Sequence, residues 1–161
     1  MGPLGNAAII KAITNMLAFI HLLAAGEALM LAKQGRLDLA KSFEAILNSS
    51  GNSFVHETES LVILSGSYNI GFTMDLALKT SVSPCRWAAN SACRSKSLAW
   101  SSKPFVRSKA QYGGGAWSSQ VVKLLEDAVG TDLRPRLPRS SPVAPRRHEH
   151  YRFESSFDEP T

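Results

Sequence analysis

The chain opens with MGPLGNAAIIKAITNMLAFIHLLAAGEALMLAKQG, a nearly unbroken apolar run that restricts the fold more than any later segment. The run predicts one long helix over 6–33, closed by Gly35 as the left-handed residue just past its end. A membrane span is its rival. The longest uncharged stretch, 12–26, falls short of the ~20 apolar residues a span needs. It also contains Asn15 and His21 and is flanked by Lys11 and Glu27. A core helix is therefore expected, with no membrane partner. Only Met-Gly-Pro precedes the run where a secretory signal would carry charge, so a cytoplasmic location is expected. Lys11 and Asn15 lie four apart and share one face of this helix. An amine and an amide placed together near a helix start can hold a substrate oxygen and move a proton.

Downstream the pattern stays helical. Asp38 is a good N-cap for a helix whose stripe is Leu39, Phe43, Ile46 and Leu47, ended by Ser49-Ser50-Gly51. A third helix is expected over 54–64. Gly66 and Gly71 bracket a turn, and a short helix runs on through Lys79. Near the far end, Ser118 or Ser119 is expected to cap a helix carrying Val121, Leu124, Leu125 and Ala128, closed by Gly130. No strand alternation separates these elements, so the fold class is all-α. Residues 136–161 are rich in Pro, Arg and Ser without periodicity and are expected to form a disordered tail. His148-Glu149-His150 lies there and is expected to be solvated rather than metal-bound.

The 161 residues, 44% of them hydrophobic, suffice for one domain with a real core. The net charge of +5 permits nucleic-acid or anionic-lipid binding without requiring it. Between Asp75 and Glu126 there are eight Lys or Arg and no acid, yet no basic–aromatic motif, so no nucleic-acid partner is expected. Cys85 and Cys93 lack the repeated close spacing of a zinc site, and neither a metal nor a disulfide is expected.

The string G-P-L-G-x-A-x-x-x-K-x-x-x-N over 2–15 resembles the β-hydroxyacid dehydrogenase family, which includes 3-hydroxyisobutyrate dehydrogenase. So do GEALMLAKQGRLDL (26–39), SSGNS (49–53), GFTMDLALK (71–79) and AQYGGGAWSSQVVKLLED (110–127), in the family's order and spacing. The resemblance covers about 1–79 and 105–134, and matches only the C-terminal half of such an enzyme. It implies a helical domain like the C-terminal domain of 6-phosphogluconate dehydrogenase, with one long N-terminal helix. Residues 1–134 would then bind substrate and dimerise, as a homodimer or with an intact paralogue. The resemblance implies hydride transfer from a small hydroxyacid to NAD or NADP. Lys11 would be the general acid/base and Asn15 would orient it or the substrate oxygen. Phe72 would line the substrate pocket, with Asn52 and Ser53 donating hydrogen bonds from a loop, and Lys79 would lie near the cofactor. The aspartate that follows this lysine in the family is Thr80 here.

No strand–glycine turn–helix for a dinucleotide pyrophosphate is legible. GPLGNA follows no predicted strand, and Gly113-Gly114-Gly115 follows a helix. The chain alone is therefore expected to be inactive, with a non-catalytic helical oligomerisation module as the alternative.

Residues 80–104, TSVSPCRWAANSACRSKSLAWSSKP, break the resemblance abruptly. The gap is about as long as the family's own helix there. A reading-frame shift with downstream compensation explains it. If one base was lost after the Lys79 codon, the first two bases of each present codon are the last two of the ancestral one. One permitted reconstruction is DLRLALPLGRELGVPLEVASLVEQTF. It restores the family's Lys-Asp-Leu string, an amphipathic pattern and the missing acids. Loss of that helix's apolar face is expected to expose apolar surface and favour aggregation or a molten state.

Overall fold

Helix α1, Asn6–Gln34, is the axis of the structure, a computed structural model that describes residues 5–80 and 96–134. At 1.5 Å per residue it is about 43 Å long. Around it lie α2 (Leu39–Leu47), α3 (Phe54–Ser65), α4 (74–80) and α5 (Lys96–Tyr112). A 3-10 turn, Ser118–Val122, then leads directly into α6, Lys123–Val129. No strand forms among the described residues; a single antiparallel bridge joins Thr73 to Trp117. The described residues are thus helical, as the periodicity predicts. Cys85, Cys93 and the 135–161 tail lie outside them.

Phe19, Leu22, Leu23, Leu29 and Met30 of α1 form one wall of the core. Ile63 of α3, Met74 and Ala77 of α4, Phe105 of α5, and Val121 and Val122 close it. Phe19 meets Phe105 at 4.9 Å between ring centroids in a tilted pair. Gly26 lets the 3-10 turn approach α1 closely: a Cβ there would stand 2.6 Å from a Val122 methyl.

By length and composition α1 could cross a membrane. Only 17% of its most apolar window is buried within the domain, which leaves Ile9, Ile10 and Leu17 exposed.

The helix ends show where local chemistry overrides pattern. Gly35 has φ −71° and Arg36 has φ +60°, so Arg36, not Gly35, is the left-handed residue. Leu37 N–H donates to the Ala32 carbonyl at 2.9 Å and Arg36 N–H to Lys33 at 3.0 Å, the paired closure of a Schellman end. Asp38 caps α2 as expected, accepting from the Ala40 and Lys41 amides. Neither Ser118 nor Ser119 caps the last helix. Trp117 holds the N-cap position of the 3-10 turn, and its N–H donates to Gln120 Oε1. Both serines are buried, and Ser119 Oγ donates to the Tyr68 carbonyl. Gly130, at φ +69°, closes α6 as expected.

Two buried polar networks tie the elements together. Nε2 of His56 lies 3.1 Å from the Phe43 carbonyl, so that nitrogen carries the proton. Nδ1 then accepts from Ser60 Oγ at 3.0 Å, and the imidazole stacks on Phe43. Farther along, Tyr68 donates its hydroxyl proton to Glu126 Oε2, while Glu126 Oε1 accepts from Leu133 N–H. Burial first, then the Glu126 partner, pushes the Tyr68 phenol well above its usual range. Tyr68 adopts φ +54°, a conformation unfavourable for a non-glycine residue and held here by these bonds.

From Lys96 the segment read as frame-shifted is helical and continuous with 105–112. Over 101–112 the buried positions are Ser101, Phe105 and Ser108, one aromatic ring between two serines. Pro104 lies inside this helix.

Candidate functional site

A cleft of about 470 Å3 opens between α1, α3 and the 69–72 segment. Asn15, Ala18, Phe19 and Leu22 form its α1 wall. Phe54, Thr58, Glu59 and Val62, which share one face of α3, form the second wall. Asn69, Ile70, Phe72 and Ser118 close it. Backbone pairing fixes that last wall: Ser118 N–H donates to the Phe72 carbonyl at 2.9 Å and Met74 N–H to Ala116 at 2.7 Å.

Asn15 and Phe72, 57 positions apart in sequence, therefore line one cleft. Lys11 is exposed one helical turn before Asn15, about 6 Å along the axis. The other candidates lie elsewhere. Ser53 Oγ accepts from His56 N–H and caps α3. Asn52 accepts from Ser53 N–H and donates to Glu57 Oε1 at 2.7 Å. Unpaired amides at the start of a helix claim such side chains, so Asn52 and Ser53 build the first turn of α3 rather than the cleft wall. Lys79 is exposed on α4 and lies off the cleft.

Sequence reasoning missed Glu59. Its Oε2 is buried and has no hydrogen-bond partner, and no Lys, Arg or His lines the cleft. Desolvation raises its carboxyl from 4.5 to about 7. The signal was present: Val55, Glu59, Val62 and Ile63 recur at helical spacing, which puts one carboxyl on an apolar stripe.

Comparison with known proteins follows this architecture. The family described as NAD-binding of NADP-dependent 3-hydroxyisobutyrate dehydrogenase matches residues 5–125. The chain belongs to this family. A curated L-threonate dehydrogenase from Pectobacterium atrosepticum is 29% identical over 76 residues, which are 47% of this chain and 25% of that protein. The solved 3-hydroxyisobutyrate dehydrogenase of Salmonella typhimurium superposes with a TM-score of 0.67 at 22% identity, covering 72% of this chain and 41% of that one. That of Mycobacterium tuberculosis, solved with L-serine, gives 0.67 at 19%, covering 73% and 42%. The chain thus spans a quarter to under half of these relatives' lengths.

The family description assigns NAD binding, but the described residues do not fit a whole dinucleotide. They contain no strand–glycine turn–helix. Their one glycine run, Gly113-Gly114-Gly115, is packed on an acid: a Cβ on Gly114 would stand 2.2 Å from Asp75 Oδ2. The Asp75 N–H donates to the Gly114 carbonyl, and its carboxylate pairs with Lys109 at 2.7 Å. A carboxylate at that turn opposes a pyrophosphate.

Proposed function

We propose that this chain is the helical, substrate-binding part of an NAD(P)-dependent β-hydroxyacid dehydrogenase of the 3-hydroxyisobutyrate dehydrogenase kind. The observation that carries the reading is the shared cleft of Asn15 and Phe72, with Lys11 one turn away on the same helix. A small hydroxyacid enters the cleft, its carbon chain against Phe72, Ile70 and Val62. Asn15 orients the hydroxyl, and the Lys11 amine takes its proton as the alcohol is oxidised. Asn52 and Ser53 act on the cleft indirectly, by setting the first turn that places Phe54, Thr58 and Glu59. Lys79 faces the cofactor side.

NAD or NADP is the hydride acceptor in such a reaction. In this reading the described residues supply binding, orientation and proton transfer, and turnover of a hydroxyacid is expected to need a nucleotide-binding part as well. The exposed Ile9, Ile10 and Leu17 on α1 suit a second copy or an intact paralogue, in a cytoplasmic assembly. The same surface favours a second reading, a non-catalytic pairing module.

Joining the chain to the nucleotide-binding half of a family enzyme separates the two. Turnover of 3-hydroxyisobutyrate by the fusion, lost at least a hundredfold in Lys11→Met, supports the catalytic reading. A fusion that folds and pairs but stays inactive supports the pairing module.

A further inference from the structure

A second depression, sharing no lining residue with the cleft, lies between α1, α5 and α6. It encloses about 260 Å3. Its floor is aliphatic: Leu23 of α1, Val121 and Val122 of the 3-10 turn, and Leu124 and Leu125 of α6. An apolar cavity of roughly 150 Å3 accepts a benzene ring, so this groove has room for an aromatic side chain and little more. Among the described residues its charged side chains are Glu27, Lys103 and Arg107, all exposed and hence at the rim. Lys103 and Arg107 lie one turn apart on one face of α5, and neither forms a salt bridge with a described acid. The rim therefore carries one uncompensated positive charge.

The groove suits an aromatic segment with acidic flanks, and the chain carries one. Phe153 and Phe157 are four apart, and Glu154 and Asp158 follow each of them by one position. On a helix the two rings would share a face, and the two carboxylates would stand about 6 Å apart along its edge. Lys103 and Arg107 have the same four-residue spacing. Length allows the approach. Leu133 N–H donates to Glu126 Oε1, which turns the chain back against α6. Residues 135–152 then separate Arg134 from Phe153, and an extended stretch of that length spans up to about 60 Å. A second copy fits less well, because twofold pairing through this face sets its cationic rim against itself.

We infer that residues 153–159 dock in this groove of their own chain, Phe153 and Phe157 on the aliphatic floor and Glu154 and Asp158 beside Lys103 and Arg107. The rings supply most of the affinity by leaving water. The ion pairs are exposed and add little, but they set the register. The tether raises the local concentration of the segment, so a weak contact suffices.

Zero-length carbodiimide cross-linking of the purified 161-residue chain tests this, on a mixture of unlabelled and 15N-labelled protein read by mass spectrometry. Lys103 is expected to join Glu154 or Asp158 within peptides of a single isotope. Phe153→Ser with Phe157→Ser keeps both carboxylates and is expected to cut the yield about tenfold, the least that loss of a buried phenyl should do. The same variant is expected to move the Leu124 and Leu125 methyl signals in NMR spectra, because ring currents leave the groove. No link from Lys103 to either acid overturns the inference. Mixed-isotope links overturn it in favour of a segment seated on a second copy. An unchanged yield with unmoved methyls overturns it too, because the charges then meet without docking. Because the unmodified chain decides the first two outcomes, the test survives a variant that fails to fold.

Discussion

Glu59 and Tyr68 show two ways this chain keeps an ionisable side chain out of water. Glu59 is half-buried on the cleft wall with its Oε2 out of water, and desolvation raises its carboxyl from 4.5 to about 7. In the unfolded chain it titrates near its ordinary value. Between about pH 4.5 and 7 the folded state therefore binds more protons than the unfolded one, and stability falls as pH rises. Glu59→Gln is expected to remove this fall and to stabilise the domain above pH 7 by roughly 2–3 kcal/mol. Urea denaturation at pH 5 and pH 8 checks it; equal midpoint shifts at the two pH values contradict it. Tyr68 has the opposite arrangement, with its partner supplied from 58 positions away. Tyr68→Phe leaves the Glu126 carboxyl buried with one acceptor unmet and is expected to cost about 1–3 kcal/mol, read as a lower Tm. An unchanged Tm would show that water replaces the phenol.

At the level of elements, stability depends on close approach between helices. Gly26 is buried where α1 meets the 3-10 turn, and any Cβ there runs into Val122. Val122 is stiff at χ1 and buried, so it has little room to yield. Gly26→Ala is expected to destabilise by about 1–3 kcal/mol through overpacking, despite alanine's better helix propensity. A stabilised variant, measured by thermal melting, would place the turn farther from α1. Helix α5 contains the end of the segment that the sequence reading attributes to a frame shift. Pro104 sits within it and lacks the N–H that would bond one turn back. Pro104→Thr, the residue of the restored frame, is expected to raise stability by about 1–3 kcal/mol. No gain in the denaturation midpoint would mean that the helix is already adapted to proline.

Across the whole molecule, what could be read in advance follows from how local each signal is. Helix periodicity and the Asp38 cap act within a few residues, so α1, α2 and α3 were legible to within a residue or two. The end of α1 was not. Gly35 looked like the left-handed residue, but the closure runs one position later through Arg36, because the Leu37 and Arg36 amides reach back together. The last helix misled for a similar reason: the Ser119 hydroxyl is drawn to Tyr68, a partner no local pattern reveals. Asn15 stands out in the sequence by its spacing to Lys11, and Phe72 only by a family string; the structure sets both on the cleft wall. Their convergence depends on pairing of 72–74 with 116–118, which is invisible in one dimension. Asn52 and Ser53 look like polar loop residues until the start of α3 claims them.

The central claim is that the cleft between α1 and α3 receives a small hydroxyacid at Asn15 and Phe72. The most direct test is saturation-transfer NMR on 3-hydroxyisobutyrate with the unmodified chain, Asn15→Ala and Phe72→Ala. Saturation of the substrate methyl by the unmodified chain, reduced at least fivefold in both variants while their helical content is unchanged, is the expected result. Transfer that persists in both variants would place the substrate elsewhere and contradict the account.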